Sequence, residues 1–206
     1  MNQPDAILRT GRKFDQVVKG ARTVFLADGF EGASVDEIAR EAGVSKATLY
    51  SYFPDKRLWF MEVATTECQR MADRALNLID ETASAREVLT IAAEQLVPFL
   101  LSPFAQQCFR ICVAERDRFP ELGRAFYANG PEMGRQQLSS YFDKAVARGD
   151  LVIPDVDMAA DQFSELCRVK LWVRAVFGIQ SEFSQREIDD VVKNAVDTFL
   201  ARFEAK

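Results

Sequence analysis

The sequence predicts an all-α chain of about nine helices, a small three-helix unit at the N-terminus followed by a larger helical bundle. Three observations predict it. Apolar residues recur at helical spacing along most of the chain, and no stretch alternates as a strand would. Ser34 with Glu37, Ser84 with Glu87 and Ser184 with Glu187 are Ser-x-x-Glu boxes. In such a box each side chain satisfies a backbone N–H that the helix start leaves unpaired. Gly29, Gly43, Gly149 and Gly178, with Pro54, Pro103 and Pro120, mark the ends and starts of the periodic segments.

Residues 1–8 read as a loose leader. Helix 1 is expected over roughly 10–28, buried through Phe14, Val17, Val18, Ala21, Val24 and Phe25, and ended by Gly29. Arg12, Lys13, Lys19 and Arg22 project elsewhere, those near the N-terminus within reach of a phosphate. Ser34 opens the second helix, in which Val35, Ile38, Ala39 and Ala42 share one side. Gly43 suits the left-handed conformation that closes it, and Val44 follows as a core anchor. Ser45 caps a third helix that runs to Phe53 and stops before Pro54. Two short helices about a tight Gly turn are a helix-turn-helix.

The third helix shows which way it faces. Leu49 and Phe53 point inward with Val44, while Ala47, Thr48, Tyr50 and Ser51 lie on the other side with Lys46 at its edge. Small residues permit close approach to a major groove, hydroxyls reach phosphates and base edges, and lysine meets phosphate or guanine. Tyr52 sits between the two faces. Lys56 and Arg57 add positive charge just past the helix.

From about Lys56 to Ile79 the pattern is one long helix through Leu58, Phe60, Met61, Ala64, Cys68, Met71, Ala75 and Leu78, a lever about 35 Å long. Asp80–Ala83 connects it to a helix starting at Ser84 and ending near Leu101. Further helices are expected at about 105–118 and 120–129, from Gly130-Pro131 to Gly149, and at about 157–177 and 184–204. The boundary between domains is placed at 55/56, giving 1–55 and 56–206.

The net charge is −5 at pH 7, yet residues 1–60 carry a slight basic excess and the remainder carries the acidity. A basic edge on an acidic body suits a reader that must not bind DNA everywhere. No apolar run approaches a membrane span and the N-terminus has no signal-peptide pattern, so a cytoplasmic protein without a membrane partner is expected. The chain has no His, which excludes any catalytic histidine, and it carries no Gly-x-Ser-x-Gly elbow, phosphate loop or dinucleotide fingerprint. An enzyme and a cofactor are therefore not expected. Cys68, Cys108, Cys112 and Cys167 form no zinc spacing, so no metal is expected. Cys108 and Cys112 share a helix face, as small core residues or as a redox-sensing pair.

Gly43-Val-Ser-Lys-Ala-Thr-Leu-Tyr-Ser-Tyr-Phe53, followed by Pro54-Asp-Lys-Arg-Leu58, resembles the signature of the tetracycline-repressor (TetR) family. Phe104 through Leu122 and on to Tyr127 resembles, more loosely, the C-terminal regulatory domain of its AefR-like branch. The resemblance implies a homodimeric transcriptional regulator, more often a repressor, that binds palindromic half-sites of double-stranded DNA. It implies dimerisation through the last two helices, packed against their copies as a four-helix bundle. Lys46, Ala47, Thr48, Tyr50, Ser51, Tyr52 and Lys56 match positions that touch DNA in family members, and Ser34 should meet a phosphate. Position 47 is Ala where relatives often have Gly or Pro, and 51 is Ser where a larger ring is common, so base preference cannot be copied from a relative.

The resemblance also implies that part of the large half encloses a cavity for a small effector. Such cavities are mostly apolar with a few convergent polar groups. Candidates to line it are Met71, Phe99, Phe109, Cys112, Phe126, Phe163, Cys167 and Trp172, with one or two of Arg110, Gln107 and Arg168 as the polar groups. Solid packing of the same residues is the alternative. Arg110 either pairs internally with a carboxylate such as Glu115 or meets an anionic ligand. An adaptor that binds protein through residues 34–53 is the rival to the DNA reader, and the salt dependence of DNA binding separates them.

Overall fold

Among the described residues five helix starts carry a side-chain cap, at Ser34, Ser45, Ser84, Asp155 and Ser184, and Gly43 and Gly149 each close a helix. The computed structural model describes residues 12–78 and 83–205. Its α-helices are α1 (Arg12–Gly32), α2 (Val35–Ala42), α3 (Lys46–Tyr52), α4 (Lys56–Leu78), α5 (Ala85–Leu101), α6 (Pro103–Ala114), α7 (Pro120–Tyr127), α8 (Met133–Arg148), α9 (Val156–Leu166), α10 (Leu171–Val176) and α11 (Gln185–Phe203). All three predicted Ser-x-x-Glu boxes form. No strand occurs among the described residues beyond one isolated antiparallel bridge, Leu151 with Glu204. No single helix among them is long and apolar enough to cross a membrane. The expected leader and most of the connector 80–83 lie outside the described residues.

Two compact units divide the chain, but not at 55/56. One takes in the described residues up to Glu67 with Gln107–Phe126; the other takes in Cys68–Gln106 and everything from Tyr127 onward. The reason lies in α4. Its first turns carry Trp59, Phe60, Met61, Val63 and Ala64, all buried. The Phe60 ring meets Phe25 edge-on at 5.0 Å and Phe30 at 5.4 Å. The start of α4 is therefore core for the three-helix unit rather than a linker leaving it. Gly29, at φ 70, breaks α1 so that Phe30 turns in toward Phe25.

In the second unit α11 is the central element. Phe199 packs on Phe142 at 5.0 Å, Phe163 at 5.4 Å and Phe203 at 4.8 Å. Leu89, Ala93 and Val97 of α5 and Ala159 and Ala160 of α9 complete this core. Each fully buried ring of this size contributes about 1.5–3 kcal/mol by removal from water. Gly149 closes α8 at φ 82, and the loop after it is pinned to the end of α11 by the Val152 N–H donating to the Phe203 carbonyl at 2.8 Å.

Three helix expectations are corrected. The helix expected over 157–177 breaks after Leu166: Lys170 adopts φ 68, and the Leu171 N–H donates to the Val169 carbonyl at 2.8 Å. That tight turn sends Leu171 and Ala175 into the core. The restart expected at Gly130-Pro131 is instead a continuous helical path through a π-turn, Ala128–Glu132. Pro131 has no N–H to give, and the wider turn accommodates it. The helix expected to reach 118 ends at Ala114, short of a turn closed by the Phe119 N–H on the Glu115 carbonyl.

Candidate nucleic-acid interface

The α2–turn–α3 segment is assembled by local hydrogen bonds before any packing is considered. The Glu37 N–H donates to Ser34 Oγ at 3.1 Å, and Ser34 Oγ donates in turn to the Glu37 carboxylate at 2.8 Å. These bonds hold Glu37 below the usual carboxylate range. Gly43 takes φ 65, and the Val44 N–H donates to the Ala39 carbonyl at 3.0 Å, the closing bond of a glycine-capped helix. The Thr48 N–H then donates to Ser45 Oγ at 3.1 Å to start α3. Ile38, Leu49 and Phe53 are fully buried beneath the pair.

The outer side of α3 is open. Lys46, Ala47, Tyr50 and Ser51 are exposed, and Thr48 and Tyr52 are half-buried. Ser51 Oγ donates to the Thr48 carbonyl at 2.7 Å, and Thr48 shares a hydrogen bond of 2.9 Å with Ser45. Lys46 lies 2.6 Å from the Asp36 carboxylate, which raises its pKa. Tyr52 is braced edge-on by Phe14 at 5.7 Å. The arrangement presents one cation, small side chains and hydroxyls on a rigid convex helix, a shape and chemistry that fit a major groove.

Two expected cations behave otherwise. Lys56 is half-buried over the Phe30 ring at 4.6 Å, and burial lowers its pKa. Arg57 turns inward: it pairs with Asp55 at 2.6 Å and Glu115 at 2.8 Å and lies over the Phe119 ring at 3.7 Å. Asp55 is held below its ordinary value chiefly by that hydrogen bond from Arg57.

The side chains that aim α3 were not all legible beforehand. Trp59 is buried, donates its indole N–H to the Phe53 carbonyl at 2.9 Å, and packs under Tyr50 at 5.4 Å. Its i, i+4 relation to buried Val63 was the available signal. Gly20 lets α1 and α2 touch, since a Cβ there would fall 2.6 Å from the Ala42 nitrogen. Gln107 of α6 accepts the Phe30 N–H at 2.7 Å.

The candidate effector residues fall in both units. Phe109 meets Phe126 at 6.1 Å, and Cys112 is buried, in the first. Arg110 is exposed, and the internal pair with Glu115 does not form. Five residues apart on a helix the two point about 140° away from each other, and Glu115 is taken by Arg57. In the second unit Phe163 and Cys167 belong to the apolar core, and burial pushes the Cys167 thiol up to about 12. Met71 and Phe99 are half-buried, and Trp172 lies under the Arg168 guanidinium at 5.3 Å. An open groove of about 450 Å³ runs between α9 and α11, lined by Leu166, Val169, Phe199 and Phe203 with Gln162, Glu165, Thr198 and Arg202. None of the candidate residues lines it.

Comparison with known proteins agrees with both halves. Residues 17–58 match the tetR family of bacterial regulatory proteins, and residues 87–205 match the C-terminal domain of AefR-like transcriptional repressors. The chain is 31% identical over 85 residues to the transcriptional activator FasR of Mycolicibacterium smegmatis, spanning 41% of this chain and 39% of that protein. It is 33% identical over 58 residues to the transcriptional repressor AcnR of Corynebacterium efficiens, spanning 28% and 31%. The matched stretches thus take in well under half the length of these relatives. Solved structures match over far more. A tetR-family regulator from Mesorhizobium loti is 30% identical with a TM-score of 0.79, covering 94% of this chain and 98% of that one. The flavonoid-responsive regulator FrrA is 34% identical with a TM-score of 0.69, covering 95% and 98%.

Proposed function

The chain belongs to the TetR family of bacterial regulatory proteins and is a DNA-binding transcriptional regulator, and on that premise we propose that it acts as a ligand-responsive repressor in the cytoplasm. By function we assign DNA binding to residues 1–55 and effector binding and dimerisation to residues 56–206, although by packing the start of α4, through Glu67, belongs with the first part. Base reading goes to Lys46, Ala47 and Thr48 and phosphate contact to Ser34, Tyr50, Ser51 and Tyr52. Lys56 joins them by leaving the Phe30 ring. The chain has no catalytic role. The observation that carries this reading is the outer face of α3, exposed and polar while its inner face is fully buried.

Two copies paired through α9, α10 and α11 present two α3 helices to a palindromic site, and binding requires their separation to match a whole number of DNA turns, about 34 Å for one. An effector that favours another separation lowers operator affinity by its differential affinity for the two forms. A relative 34% identical over nearly the whole chain is flavonoid-responsive, which makes planar, largely apolar aromatics the first class to screen. A regulator without a small-molecule effector is the second reading, supported by the solid packing of Phe163 and Cys167.

The test is fluorescence anisotropy of a labelled duplex from the DNA flanking the gene, over a salt series, with Tyr50→Ala alongside. Tight binding with a steep negative salt slope, weakened about tenfold or more by the substitution, is the expected result. An intact dimer with no preference for any duplex in a random selection would overturn it. Operator affinity unchanged at effector saturation would overturn the ligand-responsive part alone.

A further inference from the structure

The two cysteines that share one face of α6 meet a third sulfur. Cys108 Sγ lies 3.8 Å and Cys112 Sγ 3.6 Å from the Met61 Sδ of α4. All three side chains are buried, and all three belong to the first compact unit. Cys112 Sγ also approaches the Leu122 carbonyl at 3.7 Å.

We propose that Met61, Cys108 and Cys112 form a trigonal binding site for copper(I), held by two thiolates and one thioether. Soft sulfur donors of this kind select copper(I) over harder ions. Three sulfurs at about 2.3 Å from a first-row metal, arranged in a plane around it, stand about 4 Å from one another. The two Met–Cys separations already fall within a few tenths of an ångström of that spacing. Ordinary core packing leaves sulfurs in contact as well; what marks this place is one thioether meeting two thiols of a single helix face.

The alternatives fit less well. A Cys108–Cys112 disulfide requires Cβ atoms about 3.5–4.5 Å apart, whereas residues four apart on a helix hold theirs at about 5–6 Å. The helix would have to distort to make that bond, whereas the two Met–Cys separations are already near those of a trigonal site. Zinc prefers four nitrogen or sulfur donors, the chain has no histidine, and no group of three His, Cys, Asp or Glu suited to a metal occurs among the described residues.

The chemistry balances without a redox partner. Copper enters as copper(I) and leaves its oxidation state unchanged; two S–H bonds break, two Cu–S bonds and one thioether contact form, and two protons pass to solvent. Affinity rises with pH because protons compete for the sulfurs. The bound ion ties α4, five residues beyond its start, to α6. This inference stands apart from the operator reading.

The experiment is an anaerobic titration of the full-length chain with copper(I) against a coloured copper(I) chelator. The expected result is one ion per chain withdrawn from the chelator, with the ultraviolet band of copper(I)–thiolate. Met61→Leu keeps the core volume and lowers affinity about tenfold or more. The double variant Cys108→Ser, Cys112→Ser abolishes binding, and Cys68→Ser and Cys167→Ser bind as the parent does. Circular dichroism checks folding throughout. Failure of the folded parent to withdraw copper overturns the proposal. So does undiminished binding by folded Met61→Leu, or loss of binding on Cys68→Ser.

Discussion

The two compact units are held together in different ways. In the second, rings and aliphatic side chains fill the space around α11, and Phe199 alone touches Phe142, Phe163 and Phe203. The first also has an apolar interior, and half-buried directional bonds brace it around the recognition helix. Arg22 pairs with Glu67 at 2.5 Å, Arg57 bridges Asp55 and Glu115, Gln107 receives the Phe30 N–H, and Trp59 bonds the Phe53 carbonyl. Apolar packing is non-directional and tolerates small rotations. Hydrogen bonds and forked guanidinium contacts fix angles. The second unit has such contacts too, Arg86 with Asp197 and Arg135 with Asp157, but their carboxylates face solvent, whereas the Arg57 contacts beside the recognition helix are half-buried.

The largest expected effect tests the apolar side of this contrast. Phe199→Ala should cost about 3–5 kcal/mol in denaturant unfolding; a loss under about 1 kcal/mol would mean that the rings around it are not the core they form. Next comes Gly20→Ala. Its Cβ would lie 2.6 Å from the Ala42 nitrogen and 2.7 Å from its Cα, so backbone rather than a side chain must yield. Overpacking of this kind costs about 1–3 kcal/mol, and the shift between α1 and α2 should appear as weaker operator binding. A variant as stable and as tight as the parent would show that this approach is not constraining.

Trp59→Phe sharpens the contrast further. It leaves the Phe53 carbonyl without its indole donor, worth about 1 kcal/mol of stability, while freeing the end of α3. Operator affinity should fall by more than that stability loss predicts. Proportionate losses would make Trp59 an ordinary core residue. Acid should likewise act on the directional contacts. Asp55 is depressed from 3.8 by Arg57, so its contribution is fully present above that value and is lost as pH falls through the folded value below it. Comparing unfolding of the parent with Asp55→Asn from pH 5 down to pH 2.5 checks the sign: the difference between them should shrink only below pH 3.8.

What the sequence revealed and what it hid divide along the same line. Caps and glycines are local, so Ser34, Gly43 and Ser45 placed α2 and α3 with their faces correctly assigned. Contacts across the chain are not local. Arg57 and Glu115 are 58 residues apart, and Gln107 and Phe30 are 77 apart, so no period or motif announces them. Gly20 sits mid-helix with no turn to explain it; only the backbone of α2 does. Lys170 carries a helix break with neither Gly nor Pro beside it, and Leu171 next to it is buried, so no local preference announces the break. Spacing also cannot tell a cavity wall from solid core: Phe163 and Cys167 lie in the apolar core, where burial is compatible with either.

The smallest effect separates the roles of one exposed pair. Lys46 and Asp36 lie 2.6 Å apart in water, where such a pair adds little to stability. Neither Lys46→Ala nor Asp36→Asn should move the unfolding midpoint. On DNA they should act in opposite directions. Losing Lys46 removes one phosphate or guanine contact and reduces the salt slope by about 1, while neutralising Asp36 releases the lysine and removes a repelling charge, so affinity rises at low salt. If both substitutions left binding unchanged, Lys46 would be a partner for Asp36 alone, and the cation on this helix face would not belong to the reading of DNA.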